Sequence, residues 1–183
     1  HLIVVTPNQS TMRTQIYLVM CMLMMACTMQ AQNGYRVGIG AMLPSGEAED
    51  VSTFGLNVDV GYLFRLGEDV ELGPVTGYQH FFGETINGSD FELELDAVQF
   101  VPAAAAVVWN PVERFILGGD VGYAFGLNDG NDGGFYYAPR IAYGVSDAVY
   151  FVGSYRSVAL DGINWNSIQA GIEIYVQFRN LRR

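Results

Sequence analysis

The sequence predicts an all-β fold, an eight-stranded antiparallel up-and-down transmembrane β-barrel, and three observations carry that prediction. Apolar side chains alternate with polar or small ones in eight separate stretches, tight connections alternate with longer acidic ones, and aromatic residues gather at both ends of the stretches. Alternation of period two writes the two faces of a strand into the sequence. A tilted strand needs about 9–11 residues to cross a bilayer, and the alternating runs have that length.

The first strand runs from Tyr35 to Leu43, with Tyr35, Val37, Ile39, Ala41 and Leu43 opposed to Arg36, Gly38, Gly40 and Met42. The second sets Phe54, Leu56, Val58, Val60, Tyr62 and Phe64 against Gly55, Asn57, Asp59, Gly61 and Leu63. A third, Val70 to Phe82, places Leu72, Thr76, Tyr78 and Phe82 opposite Glu71, Gly73, Gly77 and Gln79. The fourth, Ala97 to Trp109, is apolar on both faces apart from Gln99. In the fifth, Phe115, Leu117, Val121, Tyr123 and Phe125 oppose Arg114, Gly118, Asp120, Gly122 and Ala124. The sixth, Phe135 to Gly144, sets Phe135, Tyr137, Ile141 and Tyr143 against Tyr136, Ala138, Arg140 and Ala142. The seventh, Ala148 to Val158, has Val149, Phe151 and Tyr155 against Ser154 and Arg156. The last, Ile168 to Phe178, is the most regular, with every even position apolar and Gln169, Glu173, Tyr175 and Gln177 on the odd face.

Arg65 to Asp69, Asn110 to Glu113 and Gly144 to Asp147 read as tight turns; Pro44 to Thr53, Gly83 to Asp96, Leu127 to Gly134 and Ala159 to Asn166 read as longer, acidic connections. Tyr35, Tyr62, Phe64, Trp109, Phe115, Tyr143 and Phe178 fall at the short-turn ends of their strands. Phe54, Tyr78, Phe82, Phe125, Phe135, Tyr137 and Trp165 fall at the loop ends. Two such girdles match the two interfaces of a bilayer. Pro74, Pro102 and Pro139 argue against a closed barrel, because each lacks a ladder donor; bulges or rims are the places offered for them.

Bulk composition narrows the function. The 183 residues are 50% hydrophobic, 13% aromatic and only 15% charged, with 22 glycines. The net charge is −10 and all nine cationic side chains are arginine, so nucleic acid is excluded as a partner. Residues 12–31 read as a signal peptide: Met12 and Arg13 give the charged region, Ile16 to Ala26 the apolar stretch, and Met29-Gln30-Ala31 the cleavage site. Residues 1–11 then read as an upstream extension, and 32–183 as the barrel domain. Cys21 and Cys27 both lie in the leader, and lipidation at Cys27 is the alternative reading of that segment.

In this pattern the chain resembles the small eight-stranded outer-membrane barrels of the OmpA and OmpX type, over about Gly34 to Phe178. Gln99-Phe100-Val101-Pro102 is similar to a recurrent strand opening in such barrels. The terminal strand, with Tyr175 and Phe178, resembles the insertion signal read by the barrel assembly machinery; in this chain five residues follow Phe178. The resemblance implies a porin-like protein of the bacterial outer membrane, with outer-membrane lipid and the assembly machinery as partners.

The polar face collects Arg36, Arg114, Arg140 and Arg156 with Asp59, Glu71, Asp120 and Glu173, read as a salt-bridged network filling the lumen. An eight-stranded barrel is only wide enough for side chains to fill, so a wide pore is not expected. A gated ion or proton path is the competing use of the same charges. His80 has no serine two positions away, so the pattern of lipid A deacylases fails and no catalytic set is assigned; no cofactor and no metal site are expected either. Asn128 to Gly134 lacks the spaced acids of a calcium loop and reads as turn chemistry. Glu84, Asp90, Glu92, Glu94 and Asp96 form an acidic loop surface that favours divalent cations or a basic extracellular protein partner and disfavours anionic ones. Phe91 to Asp96 alternates in the phase opposite to the fourth strand, as either a solvated loop or a protruding strand able to capture an extended segment.

The expected function is therefore non-enzymatic, in envelope integrity or surface interaction. A small channel or hydrophobic-solute conduit is the first alternative, and a lipid-modifying barrel enzyme the second. A soluble lipocalin-like barrel is the rival fold; it would turn apolar side chains inward.

Overall fold

The computed structural model describes residues 34–83, 85–87, 92–94 and 96–177. The upstream extension, the leader with Cys27, Glu84, Asp90, Phe178 and the residues after it lie outside these. The strands are β1 (Gly34–Ser45), β2 (Ser52–Arg65), β3 (Val70–Gly83), β4 (Thr85–Asn87), β5 (Glu92–Glu94), β6 (Val98–Val112), β7 (Phe115–Gly126), β8 (Gly134–Gly144), β9 (Val149–Ala159) and β10 (Asn164–Gln177). Eight of them close an antiparallel barrel in the order β1-β10-β9-β8-β7-β6-β3-β2. The seam between first and last strands is unbroken from Gly34↔Gln177 to Ser45↔Asn166. Closure matters because a sheet edge in hydrocarbon would leave its N–H and C=O groups without partners.

The faces sort by the sequence period, and they sort inside out. Ile39, Phe151 and Ile168 point outward and are more than half exposed, whereas Arg36, Asp59, Arg156 and Glu173 point inward and are buried. That arrangement suits a hydrocarbon surround and rules out the soluble alternative, which needs apolar side chains inside. Outward aromatics pair across strands at both ends: Tyr35 with Tyr62 (centroids 5.0 Å) near the short turns, Phe54 with Phe82 (6.1 Å) near the loops.

Four expectations are corrected. Trp165 is not a girdle residue: it shares the inward parity of Gln169 and Glu173, and is buried at the loop end of the lumen. Nor is Arg114 interior, since the turn at 113–114 carries it out to an exposed position with φ of 66°. The β9–β10 connection is only 160–163, no longer than the turn at 66–69, so the contrast in loop length rests on the other three loop-end connections. The prolines sit neither at bulges nor at rims. The described register shifts lie at Ser52/Phe54 and Trp109/Val112, while Pro74, Pro102 and Pro139 stand mid-strand.

Each proline pairs in register with one neighbour, Pro74 with Ala105, Pro102 with Ala124 and Pro139 with Gly119. On its other side the ladder skips two positions without shifting, as between Gly61↔Val75 and Phe64↔Leu72. A residue in an antiparallel ladder aims its N–H toward one neighbour only, so a proline costs a single interrupted side. At Pro102 the carbonyl is reclaimed by the Thr76 hydroxyl, which donates to it at 2.8 Å.

Two small elements occupy the loop end. A 3-10 helix, Gly46–Asp50, follows β1 and buries Ala48. In the β3–β6 connection, β4 and β5 form a separate two-stranded ribbon with Ile86↔Leu93 at its centre. The segment around Glu92 and Glu94 is thus a short strand, paired within its own connection and not continuous with β6.

Candidate functional site

The lumen is built in three layers. Nearest the loops, Phe81 from β3, Phe100 from β6 and Trp165 from β10 meet edge to face, with Phe81 and Trp165 centroids 5.4 Å apart and Phe81 and Phe100 6.4 Å apart. Met42, Tyr136, Val158 and Ala48 complete this plug. Nearest the short turns, Leu63, Val75, Val108, Ile116, Ala142 and Val152 fill the cross-section. Between them lies a polar layer.

Three ion pairs span that middle layer. Arg36 of β1 donates from Nη2 to Asp120 Oδ2 of β7 at 2.8 Å. Arg140 of β8 pairs with Glu173 of β10; its Nη2 also donates to the Tyr175 hydroxyl at 2.5 Å, and that hydroxyl donates to Glu173 at 3.3 Å. Arg156 of β9 meets Asp59 of β2 through both Nη atoms, and donates from Nε to Gln169 Oε1 at 2.6 Å and from Nη1 to the Tyr136 hydroxyl at 3.1 Å. Asn57 Nδ2 donates to Asp59 at 2.8 Å, and the Ser154 hydroxyl to Gln169 at 2.6 Å. Glycine makes the room: a Cβ at Gly77 would stand 2.5 Å from Asp59 Oδ1.

Buried charges persist when paired and further hydrogen-bonded, and this layer balances three arginines with three carboxylates. The Arg156–Asp59 pair is the most fully bonded, while Arg36 Nε and Nη1, Asp120 Oδ1 and Arg140 Nε are buried without a hydrogen-bond partner. Glu71, expected among them, instead pairs with Arg65 at 3.3 Å beside the short turns. Arg114 lies in the neighbouring turn and takes no part. What sequence reasoning missed is the aromatic plug. Its signal was parity: Phe81, Phe100 and Trp165 all carry the inward phase of their strands.

His80 does not face this lumen. It lies on the outer face of β3, with its ring 4.5 Å from Phe82 and Nδ1 3.1 Å from the Tyr78 hydroxyl. Among the described residues, no group of three or more His, Cys, Asp or Glu side chains converges to hold a metal ion.

At the loop end Asp96 is exposed, and Glu92 and Glu94 belong to β5. Asp129, Asp132 and Asp161 stand on the two connections beside it and are likewise exposed. Among the described residues, the inner layers are occupied by side chains and the loop-end face carries carboxylates.

A closed eight-stranded barrel with an apolar exterior and an ion-paired lumen is the architecture of an outer-membrane barrel, and the family comparison agrees. The profile of the outer membrane protein beta-barrel domain matches residues 17–174. The chain belongs to this family. No curated protein matches it. Among solved structures it is similar to Ail of Yersinia pestis in a phospholipid bilayer nanodisc, at 14% identity and a TM-score of 0.55, covering 79% of this chain and 99% of Ail. It is similar as well to Ail, the attachment invasion locus protein, in complex with the heparin analogue sucrose octasulfate (11% identity, TM-score 0.52, 79% and 99% covered). A de novo designed transmembrane β-barrel matches at 12% identity and a TM-score of 0.51, over 81% of this chain and 100% of the design. At these identities the likeness speaks for the fold. The protein is a bacterial outer-membrane β-barrel.

Proposed function

We propose that this barrel is non-enzymatic and acts by binding at its loop end, in surface interaction or envelope integrity. The observation that carries this reading is the layered lumen. Among the described residues an aromatic plug, an ion-paired layer and an aliphatic layer occupy the lumen, which argues against a wide solute route, and the outward His80 has no serine or carboxylate partner. The loop-end face is then the part of the molecule that differs most from a plain lipid-embedded cylinder. Its carboxylates favour basic partners and disfavour polyanions of the kind bound to Ail in the sucrose octasulfate complex.

The test places the protein in nanodiscs of zwitterionic lipid over a sensor coated with poly-arginine. Binding that weakens with salt, and that drops when Glu49, Glu92 and Glu94 are changed to glutamine, is the expected result. Equal binding by empty nanodiscs or by the variant overturns the surface-interaction reading. Discrete conductance steps in a planar bilayer would favour the channel instead. Release of acyl chains from labelled lipid A, abolished in His80→Ala, would favour the enzyme.

A further inference from the structure

At the short-turn end the lumen opens into a cleft of about 330 Å³, bordered by the β2–β3 turn, the β6–β7 turn and the inner faces of β9 and β10. Glu68, Asp69, Glu71 and Glu113 line it with Arg65 and Arg114, so four carboxylates face two guanidinium groups. Glu71 is buried and pairs with Arg65 at 3.3 Å. Glu68, Asp69 and Glu113 are exposed, and none of the three takes part in the salt bridges of the described residues. The cleft also has an aromatic wall, in which Tyr150 and Tyr175 meet edge to face with centroids 5.1 Å apart. Guanidinium groups both stack on such rings and fork onto carboxylates, so a surplus of two negative charges beside two tyrosines suits arginine side chains.

The chain itself carries arginines next to this mouth. Tyr175 belongs to β10, and β10 ends two residues later at Gln177, opposite Gly34 on the same rim. After Phe178 the sequence continues Arg179-Asn180-Leu181-Arg182-Arg183, outside the described residues, with three cations and no acid. By count, Arg179 has the parity of Glu173 and Tyr175, both of which face inward. Five extended residues reach about 16 Å, while the cleft wall begins two residues before the strand ends. Attachment matters because exposed ion pairs are individually weak, whereas a short tether holds the segment at an effective concentration in about the millimolar range.

We infer that residues 179–183 of this chain dock in the short-turn mouth, with guanidinium groups at Glu68, Asp69 and Glu113 and against the Tyr150 and Tyr175 rings. The docked segment closes the lumen at the end opposite the aromatic plug. The inference is independent of the surface-interaction reading, which concerns the loop end.

Trypsin cuts after arginine, so cleavage after Arg179 and Arg182 in nanodiscs of zwitterionic lipid reads how often the segment leaves the cleft. Glu68→Gln, Asp69→Asn and Glu113→Gln combined should speed that cleavage at least about ten-fold, as the loss of three exposed pairs. Asp129→Asn, Asp132→Asn and Asp161→Asn remove the same charge at the loop end and should leave the rate unchanged. About 1 M NaCl, where screening acts beyond about 3 Å, should speed cleavage of the parent as the mouth variant does. A free peptide of residues 178–183 corrects for the effect of salt on trypsin. All nine cationic side chains are arginine, so Arg182→Lys introduces the sole lysine amine while keeping the charge. A carbodiimide should join that amine to Glu68, Asp69 or Glu113 within one copy, as read by mass spectrometry.

Equal cleavage of the parent and the mouth variant overturns the inference. Cross-links that run between copies, or chiefly to Asp147 on the turn outside the cleft, overturn it as well. So does protection that appears only when the nanodiscs contain anionic phosphatidylglycerol, because lipid headgroups would then be what holds the segment.

Discussion

Arg156 and Asp59, 97 positions apart in the chain, meet inside the barrel through both guanidinium Nη atoms. The pair ties β9 to β2 across the lumen, and Gln169, Tyr136 and Asn57 saturate its remaining groups. Removing one partner leaves a buried charge opposite a neutral group. Asp59→Asn should therefore cost about 3–5 kcal/mol, read by urea unfolding in lipid vesicles. Asp59→Leu combined with Arg156→Met should recover only part of that loss, because the apolar pair needs no partner but the Tyr136 hydroxyl and the Asn57 amide lose theirs. An Asp59→Asn protein as stable as the parent would show that the pair does not hold the barrel together.

The seam between β1 and β10 brings Gly40 opposite Gly171. A Cβ on Gly171 would stand 2.8 Å from Gly40 Cα, against backbone that cannot swing aside. Gly171→Ala is expected to destabilise by about 1–3 kcal/mol through overpacking. At Gly153 the nearest atom to an added Cβ is Ile141 Cγ2 at 3.8 Å, so Gly153→Ala should stay within about 0.5 kcal/mol of the parent. Equal effects at the two sites would refute the steric account of the seam.

Arg114 is the one non-glycine residue with positive φ among those described. The left-handed region costs an L-residue about 1–2 kcal/mol, and glycine escapes most of that while returning about 0.4–1 kcal/mol as unfolded-chain entropy. Arg114→Gly should thus raise stability by about 0.5–1 kcal/mol. A lower unfolding midpoint would mean that the arginine side chain contributes more than its backbone costs.

The lipid-facing surface was legible because one physical demand governs it: every outward position must tolerate hydrocarbon, so the period is unbroken from Tyr35 to Leu43 and from Ile168 to Val176. The polar parity was legible too, and it located Arg36, Asp59, Asp120, Arg140, Arg156 and Glu173 on the inner face. Their partners were not, because pairing across the lumen depends on strand stagger, which alternation does not encode. Arg114 shows the limit of parity, since a turn of two residues, 113–114, releases its side chain from the face that counting assigns. Trp165 shows the opposite error. Reading it by its place near a loop hid the parity that sends it inward with Phe81 and Phe100. The prolines were misplaced because a missing donor was weighed against a whole ladder, when it touches only one of two neighbours.

The unbroken pairing of Gly34 with Gln177 and onward makes the two ends of the described chain neighbours on the same rim. In the order of its strands the wall is a ring, so where the chain is cut is a matter of genetics more than of architecture. Joining the ends across that rim and opening the turn at 66–69 would leave every strand beside its present neighbours. The barrel's shape thus belongs to the circle of pairings more than to the linear order of the chain.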